Sequence, residues 1–134
     1  MPHMRLSLRM RIMEKELFDF VAERADILAV ADSSKQETKD AAQAWKNAVA
    51  ADNSDAAVEA ATNDLLDFLE GRMLGIDDVI AFAEGPAADI MGAEAAAGML
   101  AGAKARKAEG WKYCICEAHV AAAELLGKFG RIEL

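Results

Sequence analysis

The sequence predicts an all-α protein: a compact bundle of about five or six helices behind a short extended N-terminal tail. Three observations carry this. From residue 13 onward apolar side chains recur at three- and four-residue steps, the spacing of one helix face. Gly, Pro and Asp-Asn-Ser clusters interrupt that pattern at helix-length intervals. Finally, 30 of the 134 residues are Ala, the best helix former, which adds little side-chain bulk and so suits closely packed helices.

Met13, Leu17, Phe20, Val21 and Leu28 define a first helix over about 13–31. Ser34 followed by Glu37 reads as a capping box, opening a second helix over 34–51 with Trp45 and Val49 inward. Asp52-Asn53-Ser54 forms a turn and a new cap. A third helix over 55–70 carries Val58, Ala61, Leu65, Phe68 and Leu69, and Gly71 ends it. A short helix over 76–84 lies between Gly75 and Gly85-Pro86, and Pro86 suits the start of a further short turn. Residues 94–109 read as a helix stopped by Gly110. The last helix covers 116–129, with Ala118, Ala122, Leu125 and Phe129 on one face. Acidic first turns and basic last turns (Lys104, Arg106, Lys107 and Lys128) suit the helix dipoles. Asp77-Asp78 near Glu84 is such an acidic start rather than a catalytic pair, and Ser33-Ser34 has no neighbouring base to make a nucleophile.

Residues 1–12 form a separate N-terminal extension, and 13–134 read as a single helical domain. In the extension Leu6, Leu8, Met10 and Ile12 alternate with Arg5, Ser7, Arg9 and Arg11, the period of a strand. It reads either as an upstream extension, with Met13 rather than Met1 as the natural start, or as a strand that pairs with its copy in a homodimer. Three arginines are too few for an anionic-surface anchor, and the segment lacks the apolar run of a signal peptide.

Net charge is −8, and the excess acid runs through the body of the chain, which argues against a nucleic-acid partner. No apolar run reaches the length of a membrane span. Two cysteines one residue apart are not a secreted disulfide framework, so a cytoplasmic setting is expected. No Gly-rich phosphate loop and no strand–helix alternation is present, so nothing points to a nucleotide enzyme; whether the chain is an enzyme at all stays open, with a non-enzyme the leading reading.

The chemistry-bearing stretch is WKYCICEAH, residues 111–119. Positions i and i+3 share a helix face, so Cys116 and His119 can converge, and Cys114 can turn back toward them. Two thiolates and an imidazole are zinc or iron ligands. Glu117, His3 or a partner chain are candidates for a fourth. A thiol-redox role competes with this reading, with Cys116 activated by the helix N-terminus, His119 beside it and Cys114 resolving. So does plain packing, because Cys is among the most buried residue types. A non-catalytic protein-interaction role is the third class.

Residues 13–134 resemble a small all-helical family of anaerobic gut bacteria whose members are often described as molecular chaperones or heat-shock proteins. The resemblance runs through MEKEL (13–17), ETKDAAQAW (37–45), IAFAE (80–84) and MGAEAAAGMLAGAK (91–104), and ends in AEGWKYCIC (108–116). Its most specific element is KYCxC. It implies a helical fold and a chaperone-associated setting, but no reaction. Relatives often read KYCxCPAC, with a further Cys opening the second helix. By that correspondence the family's first two thiols fall on Cys114 and Cys116, its third on His119 and the extra one near Ser34.

Overall fold

The structure, a computed structural model, describes residues 15–134. The strand and dimer readings of residues 1–12, and the alternative start at Met13, lie outside them. The described residues are all-helical, as the sequence predicts, with seven helices and no sheet among them. They fall into two compact units, one ending at Gly71 and one running from Arg72 to Leu134.

The first unit holds α1 (Lys15–Val30), α2 (Gln36–Ala51) and α3 (Asp55–Glu70), with α1 packed on α2 and α2 on α3. The inward residues follow the helical period: Leu17, Val21, Ala25 and Leu28 on α1, Ala42, Trp45 and Val49 on α2, and Val58, Leu65, Leu66 and Leu69 on α3. Trp45 brings a polar N–H inside. Thr62 of α3 answers it, with Trp45 Nε1 donating to Thr62 Oγ1 at 2.9 Å. Phe18 lies against the same indole, its ring centroid 5.5 Å away. Ser54 caps α3, its hydroxyl accepting from the Ala57 amide at 3.3 Å.

The start of α2 corrects the sequence reading. Lys35, not Ser34, is the N-cap, and no side chain caps the helix. Ser34 is buried instead, and its hydroxyl meets no hydrogen-bond partner among the described residues. The chain tightens one turn past α1, where the Ser34 amide donates to the Ala31 carbonyl, and this carries Ser34 inward before the helix begins.

The second unit holds α4 (Ile76–Glu84), α5 (Ala87–Met91), α6 (Ala93–Ala108) and α7 (Glu117–Lys128). The turn expected at Pro86 is the five-residue α5. Helices α4 and α5 pack on α6 and on each other. Ile76, Val79 and Ala103 form a small core, flanked by Ile80, Met99, Trp111, Cys114 and Ile115. Among the described residues, basic last turns occur only on α6 and α7. Lys107 pairs with Asp77 at 2.6 Å and Lys104 with Glu84 at 3.8 Å, so the acids near α4 are spread along α6 rather than gathered.

Gly110 ends α6 in a Schellman motif. Its φ is +98°, the Gly110 amide donates to the Lys107 carbonyl, and the Trp111 amide donates to the Arg106 carbonyl. The Arg106 guanidinium then lies over the Trp111 ring, 4.8 Å from its centroid. That reversal aims residues 111–116 back along the unit toward α7.

Candidate metal centre

Residues 112–114 run antiparallel to residues 74–76. The Ile76 amide donates to the Lys112 carbonyl and the Cys114 amide to the Leu74 carbonyl, each at 2.8 Å, around an isolated bridge between Gly75 and Tyr113. Side chains fasten the same segment. Trp111 Nε1 donates to the Cys114 carbonyl at 3.3 Å, and the Tyr113 hydroxyl donates to the Glu133 carbonyl at 3.0 Å. The Trp111 and Tyr113 rings meet edge to face. Ile115 lies against Gly102 of α6, where an added Cβ would come within 3.2 Å of it. The backbone carrying the two cysteines is thus held at nearly every residue.

Cys116 is the N-cap of α7. Its backbone is extended (φ −70°, ψ 156°), and its sulfur accepts from the His119 amide at 3.4 Å. A sulfur therefore stands where Ser or Asp usually caps, facing the positive end of a helix. One turn later the His119 ring returns to it, with Nδ1 3.1 Å from Cys116 Sγ. The other ring nitrogen, Nε2, is 3.1 Å from the Arg72 carbonyl oxygen. A carbonyl oxygen has only lone pairs to offer, so Nε2 carries the proton. Nδ1 is left to face the sulfur, as a lone pair toward a thiol or as N–H⁺ toward a thiolate.

Cys114, Cys116 and His119 therefore come together, with their ligand atoms all within 4.8 Å of one another. Both thiols are free and half-buried. Cys116 is held well below the ordinary thiol range, first by the hydrogen bond from the Cys114 thiol and then by His119. Cys114 is pushed up, first because its thiol donates to Cys116 and then by burial. The two thiols thus give up one proton readily and hold the other.

The arrangement can coordinate a metal ion. In a tetrahedral zinc site sulfur and nitrogen sit about 3.5 Å apart, so the present 3.1 Å needs a side-chain adjustment of only a few tenths of an ångström. The hydrogen bond from His119 Nε2 to a backbone carbonyl is the outer-shell support that metal-binding histidines normally have. Glu117, a candidate fourth ligand, is exposed and stands outside the group, and among the described residues no other Cys, His, Asp or Glu joins it. His3 lies outside the described residues. Comparison with known proteins returns nothing: no family model, no curated protein and no solved structure matches this chain.

The Arg72 carbonyl was not legible in the sequence. It is a backbone group 47 residues from His119, and only the pairing of 74–76 with 112–114 brings it there.

Proposed function

We propose that this protein is a metal-binding module that holds one zinc or iron ion through Cys114 Sγ, Cys116 Sγ and His119 Nδ1. The carrying observation is the orientation of His119. Its Nε2 is committed to the Arg72 carbonyl, so Nδ1 turns to the Cys116 sulfur with the tautomer a metal requires, and the Cys114 sulfur lies within 4.8 Å of both. Proton competition fits the same role: a metal must displace the proton that Cys114 retains, so affinity falls on acidification. Within this proposal the chain is a cytoplasmic member of the KYCxC helical family, and His119 takes the place of that family's third thiol. Titration of metal-free protein with cobalt(II) tests the reading. Thiolate-to-cobalt charge-transfer absorption should rise to one equivalent, vanish in Cys114→Ser/Cys116→Ser, and survive in His119→Cys. A titration without charge-transfer absorption contradicts it.

A second reading, thiol redox chemistry, is favoured by the stabilised thiolate at the α7 N-cap. It predicts that an organic peroxide is reduced to the alcohol and water while Cys114 and Cys116 give up two electrons and join as a disulfide. Persistence of both free thiols under excess peroxide rejects it.

A further inference from the structure

We infer that the preferred occupant of this centre is copper(I), a soft monovalent cation, bound by three protein donors and open to exchange. The inference rests on the metal-binding reading above, keeps its three donors, and puts copper(I) in the place of zinc or iron.

The donor set points first to softness. Two sulfurs and one imidazole nitrogen are gathered, and among the described residues no carboxylate joins them. Oxygen-seeking cations such as magnesium or calcium find no ligand of their kind there. Thiolates select soft ions, copper(I) foremost.

The number of donors points the same way. Structural zinc is almost always closed by four protein ligands, and this group supplies three. Catalytic zinc keeps three and adds a water, but that water needs a base to work with. Here the nearest acid in sequence, Glu117, is exposed and outside the group. Copper(I) has a filled d shell and is commonly satisfied by two or three soft donors, so it asks nothing further of the site.

Placement supports exchange. Cys114 leans on the small apolar core of Ile76, Val79 and Ala103. Cys116 and His119 are half-buried rather than sealed, while Cys114 is the more enclosed, so an incoming ligand can reach Cys116 and His119. A competing thiol can replace the protein donors one at a time. No electron moves: copper stays monovalent, and binding releases two protons, one from Cys114 and one shared between Cys116 and His119 Nδ1.

The test is an anaerobic competition of the metal-free full-length protein against a chromogenic copper(I) chelator, beside a zinc titration against a zinc indicator in the same buffer. One copper(I) per chain should bind, more tightly than zinc. X-ray absorption of the copper-loaded protein should show two sulfurs, one nitrogen and no further ligand. This wild-type readout does not depend on whether any variant folds. Zinc binding that matches or exceeds copper(I), or a four-coordinate copper site, overturns this inference and leaves the metal centre standing. Binding of neither ion overturns this inference, and failure to take up iron as well overturns the metal-binding reading with it.

Discussion

In the first unit three helices of 16 residues each line up large apolar side chains, and Leu28, Leu65, Leu66 and Leu69 are almost wholly buried. In the second, four helices of 5 to 16 residues bury a set made mostly of Ala, and the segments between them carry much of the order. Residues 72–76 and 110–116 are held by backbone pairing, a left-handed glycine and two aromatic side chains rather than by a repeating face. The comparison shows what each device is good for. Periodic burial makes a stable scaffold but aims no particular side chain. A segment fixed atom by atom can hold two sulfurs and an imidazole within reach of one ion.

The first way to sharpen this contrast is to weaken the periodic core. Leu66→Ala should cost about 2–5 kcal/mol in denaturant unfolding, the range for removing a buried leucine. Metal affinity in the folded fraction should not change. An equal loss of metal binding would mean that the core itself aims the ligands.

The second is to disturb the reversal that aims the site. Gly110→Ala meets no steric obstacle, since nothing lies within 4 Å of the added Cβ, but it places a side chain at φ +98°. Strain of about 1–3 kcal/mol is expected. Part of it should appear as weaker metal binding, read by chelator competition.

The third uses pH. In metal-free protein Cys116 has a folded pKa below the ordinary thiol value of 9.0. Between the two values the folded form has released a proton that the unfolded form still binds. Its contribution to stability therefore grows as pH rises toward 9.0 and is lost on acidification. Cys114, raised, contributes fully below 9.0 and loses its contribution as pH climbs beyond it. Wild type should gain stability over Cys116→Ser from mildly acidic to mildly alkaline pH, and the gain should shrink at either extreme. A difference that stays flat with pH would mean that the sulfur caps α7 as a neutral thiol.

The smallest effect is expected in the first unit. Ser34→Ala removes a buried hydroxyl with no partner among the described residues, so stability should hold or rise by less than about 1 kcal/mol. A clear loss in thermal melts would show that the hydroxyl is satisfied in solution.

The same division explains what the sequence disclosed. The bounds of α3 and α4 and the inward faces of α1, α2 and α3 follow from apolar spacing, because burial acts on every turn of those helices. Ser34 misled because a Ser-x-x-Glu spacing describes a possible cap, whereas the turn after Ala31 had already carried that residue inside. At the site, the i, i+3 relation of Cys116 and His119 was readable from helix geometry. The inward turn of Cys114 was readable only as an option. What fixes it is the pairing with Leu74, and what orients His119 is the Arg72 carbonyl. Backbone carbonyls carry no sequence signature, so neither partner could be named in advance.

The central claim is that Cys114, Cys116 and His119 hold a metal. Elemental analysis of protein purified without chelator, beside Cys114→Ser/Cys116→Ser, tests it most directly. The account predicts close to one equivalent of a soft or borderline metal in the wild type and none in the variant, with both equally helical by circular dichroism. Metal-free wild-type protein that also fails to take up copper(I), zinc or iron under reducing conditions would contradict it, leaving the cluster a set of packed side chains.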